Sequence, residues 1–516
     1  MFESFLESTR ILFLGQSSFA LFSLPNFLIP ILGTIIGMLF GILPGVSGIT
    51  GMALLIPFTF SWDLIPTILL FGSIYGGGTY CGSITAILVN IPGTAPNAAT
   101  CLDGYPMAQK GEAKTALGAS ASASAVGAAF GVFVLIVMLP VMRATVLAFG
   151  PAEFFMLAVL GLAVIAVVSE GNMIKGLAAG GIGLLLAFFG RDPVTGTLRF
   201  TFGTLYLHDG IRLIPLFLGI FAVTEMISLA ASSRKTISGM ERVEQLTGNL
   251  WEGIFSIFRH FGLFIRSSIL GTIIGMIPGI GGTVASFVAY GHAVQSSKDS
   301  SQFGKGDIRG VIAPEACNDA KDGGSLVPVL AFGIPGSEGA ALVMVAMILH
   351  GLIPGRELMT QNLHLAFLLI WALFISNQLT SILGVMIINQ VVRATVIRAQ
   401  LLVPFIFVLA VIGAYAERKA IGDVLLTFIF GVLGYLMKKN EYPRVSLVIA
   451  LILGELFEVN FRQAMRLYEF GRLNFFEHPI FLGLVALTVL SLFYPFYRAW
   501  RGGAAGPINR RLAGKM

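Results

Sequence analysis

Two turns of one design are the places in this chain best suited to hold an anion: Pro44-Gly45-Val46-Ser47-Gly48 and Pro278-Gly279-Ile280-Gly281-Gly282. A helix that starts after such a turn aims unpaired N–H groups and the positive end of its dipole at whatever lies ahead, which suits a carboxylate. Glycine lets a ligand approach the backbone closely, and Thr50 and Thr283 can add hydroxyl donors. Each turn is followed by a second one, Ile91-Pro92-Gly93-Thr94 in the first case and Ile334-Pro335-Gly336-Ser337 in the other. A lone Pro-Gly more often marks a helix kink than a site. Matching interruptions in two halves of a chain are a far better pointer, because midplane transport sites are built from paired broken helices. The expectation is a carboxylate held between the turns at Pro44-Gly45 and Pro278-Gly279, flanked by Thr94 and Ser337.

A second constellation is Glu315-Ala-Cys-Asn318-Asp319-Ala-Lys321-Asp322-Gly-Gly-Ser325. Ionisable groups at membrane depth serve by default as cation ligands or proton carriers. Asn318, Asp319 and Ser325 are therefore candidates for coupling an ion. Lys321 beside Asp319 and Asp322 equally fits a solvated or self-paired cluster at a helix end. Isolated acids such as Glu153, Glu225 and Glu455 fit interfaces or internal pairs. No catalytic or metal site is read from the rest. The six histidines form no HxxxH or HExxH pair, there is no GxSxG, and Cys81, Cys101 and Cys317 show no metal or disulfide spacing. Gly304-Lys-Gly-Asp307 matches the GxGD of intramembrane aspartyl proteases, yet it lies in a polar loop with no Tyr-Asp partner. No GxxxxGK[ST] phosphate-binding loop occurs either, so ATP is not expected to drive anything here.

The elements that must position these residues belong to a membrane protein. Of 516 residues, 56% are hydrophobic and only 12% charged, against the quarter usual in soluble domains. The apolar runs predict an all-α polytopic protein of roughly 12 spanning segments, several of them broken or re-entrant. A net charge of +6 lies in short loops and the tail, as the positive-inside bias requires, and does not indicate nucleic acid. Markers recur in order: Gly-Thr-Ile-Ile-Gly at 33–37 and 271–275, the two pairs of turns, Gly-Ser at 82–83 and 324–325, and Arg-Ala-Thr-Val at 143–146 and 393–396. This predicts one half-protein duplicated and fused, with the halves inverted so that facing half-helices enclose one site. The segments expected are an amphipathic stretch at 1–22, a first transmembrane repeat at 23–230, a cytoplasmic linker at 231–266, a second repeat at 267–497 and a basic cytoplasmic tail at 498–516. The small-residue run Gly118–Gly127 predicts close helix packing. Leu102 to Lys114 reads as a polar loop.

These blocks resemble the large membrane subunit of the tripartite tricarboxylate transporters, a bacterial solute-uptake family. The resemblance rests on Gly41-Ile-Leu-Pro-Gly-Val-Ser-Gly48, Ile91-Pro-Gly-Thr-Ala-Pro96, Leu102-Asp-Gly-Tyr-Pro-Met-Ala-Gln-Lys-Gly-Glu-Ala113, Gly310-Val-Ile-Ala-Pro-Glu-Ala-Cys-Asn318, Ala331-Phe-Gly-Ile-Pro-Gly-Ser337 and Gly351-Leu-Ile-Pro-Gly355. Cys317 departs from it, an alanine being usual there. The resemblance implies a permease of the bacterial inner membrane that works with a small membrane subunit and a periplasmic solute-binding protein. It further implies import of a di- or tricarboxylate such as citrate, with no cofactor, by symport with H⁺ or Na⁺. The competing expectations are a passive channel for organic anions on the same scaffold, or a membrane-embedded enzyme or assembly scaffold.

Overall fold

The structure, a computed structural model, describes residues 1–19, 22–43, 47–168, 173–231, 246–388, 390 and 402–500. The Pro44-Gly45 turn, the second Arg-Ala-Thr-Val marker, residues 232–245 of the expected linker and the basic residues after 500 lie outside the described residues. The chain is helical almost throughout, as expected of an all-α multi-pass membrane protein. Two short antiparallel ribbons are the exceptions: β1 (Gln16–Phe19) with β2 (Phe22–Pro25), and β3 (Gly190–Arg191) with β4 (Leu198–Arg199). The first ribbon is pinned by Asn26, which accepts from Ser17 Oγ at 2.5 Å and donates to the Ile11 carbonyl at 2.8 Å. It follows α1 (Phe2–Leu14), so the amphipathic stretch is a helix closed by a hairpin.

The chain packs as two compact units. The larger holds residues 1–148 and 209–440. Its N-terminal part runs α2 (Leu28–Ile42), α3 (Gly48–Leu55), α4 (Leu64–Gly77), α5 (Thr79–Val89), α6 (Ala98–Gln109) and α7 (Ala113–Ala148). The helix α6 falls where the sequence reads as a loop. Its Asp103 is fully buried and accepts the backbone N–H groups of Gly306 and Asp307, each at 2.8 Å, and the Tyr290 hydroxyl at 2.9 Å. The Leu102–Pro106 motif thus tethers the 297–308 loop, and the GxGD match supplies the tethered N–H groups.

The smaller unit comprises 149–208 and 441–516, with α8 (Pro151–Val168), α9 (Met173–Ala187) and the β3–β4 ribbon in its first part. The larger unit resumes with α10 (Leu213–Phe217), continued by a π-helical stretch at 218–223 into α11 (Thr224–Ala231). There the Thr224 hydroxyl donates to the Gly219 carbonyl at 3.1 Å, filling the slack that the wider turn leaves. Then come α12 (Leu250–Arg259), α13 (Phe261–Met276), α14 (Gly281–Ser296), α15 (Arg309–Phe332), α16 (Glu338–Leu349), α17 (Arg356–Thr360), α18 (Leu363–Met386), α19 (Leu402–Ala416) and α20 (Ile421–Lys439). Glu225 pairs internally with Lys438 at 2.6 Å.

The smaller unit is completed by α21 (Arg444–Glu469) and α22 (Pro479–Trp500). Four of its charges form one network: Glu458 takes both terminal nitrogens of Arg199 at 2.6 and 2.8 Å, and Arg462 reaches Asp192 at 2.6 Å. The backbone N–H of Thr195, joined by that of Val194, holds the Asp192 carboxyl below its ordinary range. Glu153 meets His478 at 2.9 Å.

Five helical runs among the described residues are long and apolar enough to cross a bilayer: 64–89, 113–148, 213–231, 363–386 and 421–439. The pair α12–α13 makes a sixth if taken together, bent by 79°. Shorter apolar helices, α2, α9, α16 and α19 among them, fall below spanning length. The 15 residues of α2 reach about 22 Å where the hydrocarbon needs about 30 Å.

Candidate functional site

The helix α15 carries the charges, and small residues are why it can sit at the heart of the larger unit. A Cβ on Gly127 of α7 would lie 2.7 Å from the Ala316 carbonyl, and one on Gly131 would lie 2.9 Å from Ala320 Cα. On the neighbouring face Gly271 and Gly275 of α13 rest on the backbone at Cys317 and Lys321. The small-residue run of α7 therefore does pack closely, at its far end against α15 and at Gly118 against α12. From residue 310 to 326 every position of α15 is buried, Glu315, Asn318, Asp319, Lys321, Asp322 and Ser325 included.

Glu315 is a hub that sequence reasoning passed over. Its carboxylate accepts from Ser83 at 2.7 and 2.8 Å, from Ser120 at 2.8 Å, from Ser124 at 3.1 Å and from the Thr100 hydroxyl. Four hydroxyls from three other helices match the acceptor-only character of an ionised carboxylate. The signal available in sequence was Ser120 and Ser124, four apart and so on one face of α7. One turn further along α15, Asp319 has neither carboxylate oxygen in a hydrogen bond. Ser124 lies beside it but donates to Glu315. Asn318 is likewise buried with its amide nitrogen and oxygen unpartnered, and the Ser325 hydroxyl is too. An unpaired buried carboxylate is costly unless it carries a proton or meets a cation. Lys321 Nζ pairs with Asp322 at 2.6 Å and stands 5.9 Å from the Tyr75 ring centre. The pair is thus self-paired but buried mid-helix, where the sequence allowed a solvated helix end.

Three of the four expected turns converge on this helix. At 278–282 both Gly279 (φ 79°) and Gly281 (φ 71°) are left-handed, which glycine alone adopts freely. The helix α14 then starts with no side-chain cap. A Cβ on its Gly282 would lie 2.7 Å from Pro96, 3.0 Å from Asn318 Oδ1 and 3.2 Å from Lys321 Nζ. An uncapped helix start, an unpartnered amide and a buried ammonium thus face one another. Thr283 is half-buried beside them. The turn at 91–94 follows Asn90, which closes α5 in the left-handed region (φ 55°, ψ 29°); Gly333 closes α15 the same way (φ 67°, ψ 30°) before 334–337.

Gly93 and Gly336 then press on the carbonyls of Gly41 and Gly275. Pro92 is half-buried and Pro335 buried. The hydroxyls expected to bind a carboxylate are engaged locally: Thr94 donates to Asn97, while Ser337 accepts from Ala340 N at 3.3 Å and shares a 3.0 Å bond with the Tyr75 hydroxyl. Of the first turn, Pro44, Gly45 and Val46 lie outside the described residues; a Cβ on Gly48 would lie 3.6 Å from the Ile74 carbonyl, and Thr50 is buried in α3. Among the described residues no group of His, Cys, Asp and Glu could hold a metal ion.

Residues 27–449 match the model of the tripartite tricarboxylate transporter TctA family. The chain is 35% identical over 455 residues to an uncharacterized 52.8 kDa protein in the TAR-I ttuC' 3' region of Agrobacterium vitis, covering 88% of this chain and 90% of that one. It is also 33% identical over 234 residues to an uncharacterized protein in the TAR-II ttuC' 3' region of the same organism, covering 45% of this chain and 97% of the other. No solved structure matches. The chain belongs to the tripartite tricarboxylate transporter TctA family, a family of transporters and not of enzymes.

Proposed function

We propose that this chain is the large permease subunit of a binding-protein-dependent secondary transporter that imports di- or tricarboxylates by symport with H⁺ or Na⁺. It acts in the bacterial inner membrane with its C-terminus cytoplasmic, together with a small membrane subunit and a periplasmic solute-binding protein. The observation that carries the reading is the meeting of the uncapped α14 start with Asn318 and Lys321. Backbone N–H groups and an ammonium are what a carboxylate requires inside a membrane, where each unmet polar group costs several kcal/mol. The substrate carboxylate sits there and against the Pro44-Gly45 turn, with the Thr94 and Ser337 turns setting the walls. The coupling ion goes to Asp319, the unpartnered acid, with Asn318 and Ser325 beside it.

The site belongs to two homologous, inverted halves within roughly 12 spanning or half-spanning segments, at the ~20 residues a full span needs. The repeat is supported by the twin left-handed helix ends at Asn90 and Gly333 and by the matched contacts of Gly93 and Gly336. The boundaries at 1–22, 23–230, 231–266, 267–497 and 498–516 describe that repeat, whereas the two packed units divide the chain differently.

The test is uptake of labelled citrate, other dicarboxylates and aromatic carboxylates by proteoliposomes holding the permease and its small subunit. The binding protein is supplied outside, and an H⁺ or Na⁺ gradient is imposed. Accumulation above the outside concentration is expected with one of the two gradients. Flux only down the substrate gradient would make the protein a channel, and would overturn the symport reading.

A further inference from the structure

The elbow between α12 and α13 makes a second, unrelated site. The helix α12 turns 79° from α13 at His260, so if α13 crosses the bilayer, α12 lies along its surface. Its inner side, Gly253, Ser256 and Ile257, is buried against α7, with Gly253 packed on the Thr115 carbonyl. Its outer side carries Trp251, Phe255 and Phe258, spaced one turn apart and 65%, 55% and 65% exposed. A helix with large aromatics on one face and a charged end is the build of an interfacial helix. In the crook of the elbow is an open cavity of about 360 Å³ lined by Arg259, Arg266, Lys298, Arg309, Ser296 and Ser297.

The charges there do not cancel. Arg309 is held by Asp307 at 2.6 Å and Arg259 stands 3.7 Å from Glu252. Arg266 gives its Nε to the Gly262 carbonyl at 3.0 Å, and neither it nor Lys298 meets a carboxylate among the described residues. Two uncompensated cations and two serine hydroxyls therefore border a groove that adjoins an exposed aromatic face.

We infer that this groove binds the phosphate of an anionic phospholipid headgroup, with α12 seated in the same leaflet. The pairing of features selects the lipid. A free phosphate needs the cations but has no use for the aromatic face, whereas a phospholipid satisfies both at once. Basic pockets beside membrane helices recognise headgroups by this combination of charge and depth. The site is separate from the α15 cluster and does not depend on the transport reading.

The experiment is native mass spectrometry of the detergent-solubilised full chain, titrated with phosphatidylglycerol and with phosphatidylcholine. The comparison is between the wild type, Arg266→Gln/Lys298→Gln and the charge-keeping Arg266→Lys/Lys298→Arg. The wild type and the charge-keeping variant should retain phosphatidylglycerol preferentially. The glutamine variant should lose that preference about 25-fold, the ratio that ~1 kcal/mol per cation gives for two cations. Both exposed positions leave packing intact, so the glutamine variant should elute on gel filtration as the wild type does. An undiminished preference in that variant overturns the proposal. So does displacement of phosphatidylglycerol by millimolar inorganic phosphate with equal retention of phosphate alone, which would assign the groove to a free anion.

Discussion

The stretch that leads into Ile91-Pro92-Gly93 and the one that leads into Ile334-Pro335-Gly336 end alike and differ in what they carry. Both close on a left-handed residue, both press a glycine against a carbonyl three residues ahead of a Pro-Gly, and both pass to a hydroxyl residue that caps the next helical turn. Yet the first is broken at Gly78 into α4 and α5 and holds no charge between Leu64 and Val89, while the second is the unbroken α15 with Glu315, Asp319, Lys321 and Asp322. The uncharged stretch is not idle. It lends Tyr75 to Ser337 and Ser83 to Glu315, and Thr79 reaches Asp322 at 3.5 Å. Backbone devices are written in both stretches, and ionisable groups in one. The lesson is a division of labour: one region holds buried charge, the other makes that charge tolerable.

The largest effect should come from Glu315→Ala. It removes the acceptor that four buried hydroxyls share, and leaving those hydroxyls unsatisfied at about 1 kcal/mol each costs about 4 kcal/mol in all. Thermal unfolding of the purified protein in detergent should show it, with Glu315→Gln milder because one acceptor oxygen survives. Ser83→Ala, from the uncharged stretch, deletes one bond of several and should cost about 1–2 kcal/mol. Equal losses from Glu315→Ala and Ser83→Ala would break the division of labour, since the lender would then matter as much as the charge.

Asp319→Asn should act in the opposite sense on stability. The acid has no donor to lose, and a buried neutral amide costs less than an unpaired carboxylate. The melting temperature should stay level or rise, while gradient-driven accumulation in proteoliposomes collapses to the downhill level. Accumulation that still follows the gradient at every pH and Na⁺ concentration would show Asp319 to be a structural group.

How much of this could be read from the residues depends on distance along the chain. Turns are local, so Pro278-Gly279 and the two Ile-Pro-Gly motifs were visible, as was the small-residue run whose Gly118 meets α12 and whose Gly127 meets α15. The Glu315 hub was not, because its partners at 83, 100, 120 and 124 lie some two hundred residues away and hydroxyls bear no periodic mark of what they face. The helix α6 was missed for a different reason. Gly104 and Pro106 look like turn residues, yet α6 runs through both and its buried Asp103 accepts from three distant donors, which no local pattern announces. Lys321 was legible as self-paired and illegible as buried, since a charge-rich stretch reads as solvated until the glycines around it are seen to exclude water.

Gly282→Ala sharpens the comparison at the proposed carboxylate site. The residue is not left-handed, so unlike a change at Gly279 it tests space and not backbone strain. The added methyl would crowd the Pro96 ring, Asn318 Oδ1 and Lys321 Nζ. Transport should fall about tenfold, beside a stability loss of about 1–3 kcal/mol because the Pro96 ring, the nearest contact, is rigid. Losses of stability and activity in step would reduce the glycine to a packing device.

The smallest effects, and the finest comparison, belong to Ser337→Ala and Thr94→Ala. Each deletes one hydroxyl that caps a helix or turn, which costs about 0.5–2 kcal/mol. The two differ in what the hydroxyl touches next. Thr94 ends at Asn97, which passes the contact to Ser83 at 2.6 Å, on the uncharged side. Ser337 ends at the Tyr75 hydroxyl, and the Tyr75 ring faces Lys321. Thr94→Ala should therefore lower the melting temperature and leave apparent substrate affinity alone. Ser337→Ala should also weaken affinity, about threefold, because it frees the ring that steadies the one buried ammonium beside the α14 start. Tyr75→Phe is the internal check, since it breaks the same bond from the other end while keeping the ring over Lys321 and the Ser337 cap. It should reproduce the affinity change without the capping loss. If Tyr75→Phe and Ser337→Ala both leave affinity untouched with binding protein in excess, the carboxylate does not sit beside Lys321, and the two turns differ only in their caps.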